Sequence, residues 1–321
     1  MTTRLYRNGQ VHQGGFPIEE LSELIAQEGV TAWVDFTSPS AKDLAAIEEE
    51  LGLHSLAVED AVQRAQRPKL DRYDTHLLLV AYAVSLNTTS GELSSSEITA
   101  FITPRALVTV HDDTFDMNRV ATRWDNDADL AGHGVPFLLW GLLDEVVDSH
   151  FDTVQQLDTE IEGLEDALFD ERPRDHEVQL RSFELRKSLV QLRRVVLPMR
   201  EVVNTILRRD LAVSSPEMGP YFQDVYDHVL RATEWTESLR DLVTTILETN
   251  LSIQSNRMNL IMKKVTSWAA IIAVPTAITG YFGQNVPFPG SDTEWGVWVS
   301  AGAIVVTSLA LFVVFRKRDW I

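Results

Sequence analysis

The chain has 321 residues, with 47 acidic against 28 basic side chains, a formal net charge of −19 and no cysteine. This balance excludes nucleic acid as a partner, since phosphate binding needs basic patches, and it favours cations. Without thiols there are neither disulfides nor thiolate metal sites, which fits a reducing compartment, and 45% hydrophobic with 23% charged residues suits one sizeable globular body plus apolar helices.

Residues 1–134 read as a mixed α/β domain. Residues 31–36 are a strand candidate, rich in β-branched and aromatic side chains. Residues 40–51 follow as a helix, with an N-cap at Ser38 or Ser40 and apolar positions Leu44, Ile47 and Leu51. Residues 77–86 suit a buried strand, 97–103 and 106–111 a further hairpin, and 87–96 a polar turn region. No Gly-rich phosphate loop or nucleophile constellation is present, and the eight histidines look scattered, so the chain is not expected to be an enzyme. Residues 1–15 hold no apolar core of signal-peptide length, so the body of the chain is expected to stay in the cytoplasm.

Residues 135–213 read as a helical hairpin. Val147, Phe151, Val154, Leu157, Ile161, Leu164 and Leu168 recur at three and four residues, Glu171-Arg172-Pro173 interrupts, and Leu185, Leu189, Leu192 and Val196 resume the pattern. From Asp144 to Glu177 the only basic residues are Arg172 and Arg174. That acidic stretch is either a solvated helix face or a surface that concentrates cations through its summed field.

After Pro220 no Pro or Gly occurs until Pro275. One helix is therefore expected from residue 221 into a membrane, roughly 60 residues or about 90 Å long. Its parts are a cytoplasmic stalk at 221–264 and an uncharged first span at 265–282. An external loop at 283–294, a second span at 295–315 and a basic tail at 316–321 complete the chain. Each uncharged run is near the roughly 20 residues that cross a hydrocarbon core. Lys263, Lys264, Arg316, Lys317 and Arg318 flank the spans, whereas the loop carries Asp292 and Glu294 and no base. By the positive-inside rule both termini are cytoplasmic and the loop is external, in the cell's inner (plasma) membrane.

A stripe on the long helix joins Glu248, Ser252, Ser255, Asn259, Met262, Val265, Ala269, Ala273, Thr276, Gly280 and Gly283, at an average spacing near a bundle seam. It turns from polar to apolar to small. One helix cannot surround an ion, so a pore reading requires several copies in closed symmetry. The other reading is ordinary packing through small residues.

Tyr281-Phe282-Gly283-Gln284-Asn285, the tail Phe315-Arg316-Lys317-Arg318-Asp319-Trp320-Ile321, Leu53-His54 with Glu59-Asp60, Gln66-Arg67-Pro68-Lys69-Leu70, Glu171-Arg172-Pro173 and Tyr221-Phe222-Gln223-Asp224-Val225-Tyr226-Asp227-His228 stand in order along the chain. Together they resemble the CorA-type magnesium transporters over nearly the whole length. The resemblance implies an α+β cytoplasmic funnel domain, a long stalk helix, two C-terminal transmembrane helices and a homopentameric channel in the lipid bilayer. It also implies a selectivity mouth at Gly283, Gln284 and Asn285, where Asn285 amide oxygens face a hydrated divalent cation. Such a mouth suits Mg²⁺, which gives up water reluctantly.

Carried over by position, Asn259, Met262, Thr276, Gly280 and Gly283 match pore-facing residues in type. Val265 and Ala273 stand where bulkier gates are common, and Ala269 lies between them. Glu59 and Asp60 match an acidic pair of the funnel, and Asp224 a stalk carboxylate facing it across a subunit interface. These three are implied to bind regulatory Mg²⁺ that holds the pore closed. Asp292 and Glu294 would attract external cations. Gln284 departs from the family's Gly-Met-Asn signature, a position at which the zinc-transporting branch also varies. With no cysteine or paired histidine on the stripe there is no soft-ligand site, so Mg²⁺ uptake is expected, with Co²⁺ and Ni²⁺ able to pass. Zn²⁺ transport and a non-conducting, membrane-tethered sensor are the alternatives.

Overall fold

The computed structural model describes residues 1–168, 175–208, 215–284, 290 and 293–321. They fall into two compact units, Met1–Ile246 and Leu247–Ile321. The expected break at Glu171-Arg172-Pro173, Asn285 of the expected mouth and Asp292 of the expected external loop lie outside the described residues.

In the first unit, β1 (Thr2–Arg7), β2 (Gln10–Gly14), β3 (Val30–Thr37), β4 (Lys69–Arg72), β5 (Leu77–Asn87), β6 (Glu92–Ile102) and β7 (Ala106–His111) form one sheet. The order is β2-β1-β3-β7-β6-β5-β4, and only the β3–β7 pair is parallel. Helices α1 (Leu21–Ala26), α2 (Ala41–Leu51) and α3 (Ser55–Gln63) precede β4. Helices α4 (Met117–Asn126), α5 (Val135–Leu168), α6 (Asp175–Arg208) and α7 (Gly219–Phe282) follow β7.

Alternation along the strands divides the core into two layers. Leu77, Leu79, Ala81, Ile98, Ala100, Ile102 and Leu107 pack with buried residues of α4, α5, α6 and α7. Leu78, Phe101, Val108 and Val110 face the other way, onto α2 and α3. Period-2 pleating sends successive side chains to opposite faces, so a sheet covered on both sides reads as a nearly continuous apolar run. Trp33 belongs to the first of these layers, its ring edge-on to Trp124 with centroids 4.8 Å apart and its Nε1 donating to Thr109 Oγ1 at 3.1 Å.

The polar turn region expected at 87–96 is shorter than that. β5 and β6 pair from Asn87↔Glu92 to Leu77↔Ile102, so Ser94, Ser95 and Ser96 belong to a strand. Gly91 at φ +72 completes the reversal, in a conformation that disfavours side chains. The N-cap of α2 is Ser40 rather than Ser38. Its side chain accepts from Asp43 N, while Asp43 accepts from Ser40 N, closing a capping box.

The apolar series of α5 and α6 are buried, including Leu157, Ile161, Leu164, Leu185, Leu189, Leu192 and Val196. Arg181 Nη2 on α6 reaches Glu160 Oε2 on α5 at 2.5 Å, and Arg193 Nε reaches Glu237 Oε1 on α7 at 3.3 Å.

The second unit holds the end of α7 and α8 (Glu294–Lys317). Both helices are long and apolar enough to cross a membrane. In the spans the shielded positions on α7 are Ser267, Ala270, Ile271, Val274, Pro275, Ile278 and Phe282, and those on α8 include Gly296, Ser300, Ala303, Ile304, Ser308 and Leu311. Pro275 sits within α7 without ending it. Thr279 Oγ1 donates to the Pro275 carbonyl at 2.9 Å, so this hydroxyl is satisfied within its own helix.

Candidate cation pathway and regulatory carboxylates

The predicted stripe shares one face of α7. Asn259, Met262, Val265, Ala269, Ala273, Thr276, Gly280 and Gly283 are all exposed in the single chain. At 3.6 residues per turn they stand about half a turn from the shielded ridge. A Cβ built at Gly280 meets no atom within 4 Å among the described residues, so none of these demands glycine there. At Gly283 a Cβ would come 3.0 Å from the Thr279 carbonyl, which receives the Gly283 N–H at 2.8 Å. Helix α7 ends at Phe282, and Gln284 N donates to Tyr281 O at 3.4 Å as the chain turns away.

On the far side of the loop, Glu294 opens α8, where a negative charge complements the helix dipole. Gly290 (φ +97) and Gly296 make a close turn, because a Cβ on Gly296 would lie 2.4 Å from the Gly290 carbonyl. At the other end Arg316 and Lys317 occupy the last turn of α8, and Trp320 stacks on Phe315 with centroids 5.6 Å apart.

Glu59 and Asp60 lie side by side near the end of α3, whose first turn is capped by His54 Nδ1 accepting from Leu56 N at 3.2 Å. Glu59 is exposed and accepts from Gln63 Nε2 at 2.6 Å. Asp60 is half-buried and accepts from Lys69 Nζ at 2.6 Å. Burial alone would lower the Lys69 pKa, but hydrogen bonds and charge from Asp60 and Asp71 outweigh it and hold the ammonium above its ordinary value.

Asp224 sits apart from that pair, on α7. Within the chain it joins Asp144 and His228, and a ligand atom from each lies within 4.8 Å of the others. Asp224 Oδ2 is 3.9 Å from His228 Nδ1, one helical turn on. Asp144, from α5, is buried, yet Asp224 is well exposed, so the group opens outward. Arg123 from α4 pairs with Asp144 and also reaches Glu145 at 3.3 Å and Asp148 at 2.6 Å. Two carboxylates and an imidazole are a donor set that a divalent cation can use, with water completing its shell.

Asp144 and His228 were therefore missed by sequence reasoning, and the histidines are not all scattered with respect to ligand groups. The Asp224/His228 spacing of four could have flagged the helical pair. Asp144, a carboxylate set inside the apolar run Leu142-Leu143-Asp144-Glu145-Val146-Val147, was the second signal.

The family model described as CorA-like Mg²⁺ transporter protein matches residues 28–317. The chain belongs to the CorA family. A cobalt/magnesium transport protein CorA from Thermotoga maritima is 31% identical over 294 residues, covering 90% of this chain and 83% of that one. A protein of the same description from Methanocaldococcus jannaschii is 25% identical, covering 94% and 95%. The solved structure of the complete CorA magnesium transporter from Methanocaldococcus jannaschii matches with a TM-score of 0.81 at 23% identity, over 99% of this chain and 98% of that one. That likeness bears on fold: an α/β domain, a long helix running out of it and a C-terminal helix. As a CorA family member, the chain is a membrane transporter of divalent cations and not an enzyme.

Proposed function

We propose that the chain assembles as a homopentamer in the inner (plasma) membrane and takes up Mg²⁺ through a pore lined by α7, with cytosolic Mg²⁺ closing it. The observation that carries this reading is the stripe from Asn259 to Gly283. It is uncharged, exposed along its whole length, and set about half a turn from the face that the chain itself shields. A pore wall needs such a face left free for other copies. Gly280 adds support, since none of the described residues of the protomer crowds the place a side chain would take there.

Basic residues at the ends of both spans and an acidic loop support cytoplasmic termini. At the mouth, Asn285 would offer neutral amide oxygens to the ion's bound water, with Gly283 and Gln284 shaping the turn that presents it. Asp292 and Glu294 would raise the local cation concentration outside. The stripe holds no soft ligand, which favours Mg²⁺ over Zn²⁺ and leaves Co²⁺ and Ni²⁺ as ions of similar size that can pass.

For regulation, the residues present suit a bound Mg²⁺ in two places. Glu59 and Asp60 would meet Asp224 of a neighbouring copy, and Asp144 and His228 would hold a cation together with Asp224 within one chain. A cation there cancels carboxylate repulsion and tightens the closed assembly. Uptake of Mg²⁺ and of Zn²⁺ into proteoliposomes tests the assignment. Mg²⁺ should enter at least about tenfold faster, a difference of roughly 1.4 kcal/mol in barrier; equal or faster Zn²⁺ entry would reassign the substrate.

A further inference from the structure

This inference rests on the regulatory reading just given, and concerns what occupies Asp60 before a metal does. Lys69, the first residue of β4, places its Nζ 2.6 Å from Asp60 Oδ2 and 2.7 Å from Asp71 Oδ2. The Lys69 and Asp60 side chains are 20% and 25% exposed, whereas Asp71 is 43% exposed. Among the described residues, Glu59, adjacent in sequence, pairs with no such cation and accepts from the Gln63 amide. One carboxylate of the acidic pair is thus already neutralised from within the chain.

The anchor of this cation is fixed while its head is not. β4 is an edge strand paired with β5, with Lys69 opposite Val80, so the Lys69 backbone cannot follow an incoming ion. The ammonium is a compact charge on a flexible four-carbon stem. Because Asp71 already shares it, Lys69 can leave Asp60 without losing a carboxylate partner. A divalent cation approaching Asp60 must either displace this ammonium or bind within a few Å of a like charge, and both weaken its binding.

We propose that Lys69 is a tethered counter-ion competing with the divalent cation for Asp60, and that Asp71 is the seat to which it retreats, so that this pair sets the concentration at which the cytosolic site fills. Lys69 is here a positioning residue for Asp60, not a ligand. The arrangement gives the site a floor: monovalent ions and traces of divalent cation do not evict the ammonium.

The test uses the full-length chain in detergent, titrated with MgCl₂ at constant ionic strength, and reads the midpoint of protection against limited proteolysis. Lys69→Met should lower the midpoint by about tenfold, because a unit charge a few Å from the ion is removed. Lys69→Arg should stay near wild type, since the charge remains. Asp71→Asn should raise the midpoint by roughly threefold by denying Lys69 its second seat, and should lose most of that effect in the Lys69→Met background. The opposite signs keep the inference testable even if one variant folds poorly.

A Lys69→Met midpoint equal to or above wild type would overturn it. Asp224→Ala is the companion control. If Asp224→Ala shifts the midpoint and Lys69→Met does not, the counter-ion idea alone fails. If Asp224→Ala leaves the midpoint where it was, the regulatory reading fails and takes this inference with it.

Discussion

His150 on α5 is fully buried, its Nε2–H donating to the Tyr82 carbonyl at 2.7 Å while Nδ1 has no partner among the described residues. Desolvation dominates and pushes its pKa down from 6.5 to about 4, against a smaller opposing effect of the Tyr82 hydrogen bond. The ring is therefore neutral in the folded chain. Between those two values the unfolded chain binds a proton that the folded chain refuses, so stability present above pH 6.5 is lost as pH falls. At pH 5 the loss is about 2 kcal/mol. His150→Gln keeps a donor toward Tyr82 and removes the titration. Urea unfolding followed by tryptophan fluorescence at pH 7 and pH 5 should show the wild type losing about 2 kcal/mol more than the variant. Equal losses would mean that another group carries the acid sensitivity. At this same scale the sequence was an incomplete guide to the site. Asp224 stood in a motif, but its companion Asp144 comes from another helix, and no local pattern relates the two.

Among elements, those with a strong period or a cap were legible. Ser40 three residues before Asp43, ahead of Leu44 and Ile47, marks the start of α2, and both reciprocal bonds are present. Ser40→Ala should destabilise the first unit by about 1 kcal/mol, seen as a lowered urea midpoint; a change within error would show the cap to be redundant. The buried strands β5 and β7 and the α5 and α6 series were read from runs of apolar residues for the same reason. What escaped was short or polar. β2 is exposed throughout and β4, with the sequence Lys69-Leu70-Asp71-Arg72, has no alternation to betray it; each is held at a sheet edge by its neighbour rather than by its own burial. Helix α4 buries Met117, Val120, Ala121 and Trp124, a helical spacing that could have been found but was lost among charged residues.

For the whole molecule, the decisive feature is what α7 leaves uncovered. Its shielded ridge and its polar-to-small stripe lie on opposite sides, which leaves the stripe free for the further copies that the proposed pore requires. Closure by rotation solves this for one pore-lining helix per chain. Mass measurement of the protein in mild detergent should give five copies of the 36.2 kDa chain, and a monomer or dimer would contradict a pore built from α7. The two long apolar helices were legible because uncharged length is a local property of the sequence. The number of copies was implied only by family resemblance, because no local pattern counts subunits. In the proposed pore, cations pass along that stripe and are selected by neutral oxygens at its outer end. Mg²⁺ uptake into proteoliposomes by Asn285→Ala, compared with wild type at equal pentamer content, tests it most directly. Uptake should fall by at least about a hundredfold, since the whole ring of acceptors is lost at once; wild-type uptake through an Asn285→Ala pentamer would rule this selection out.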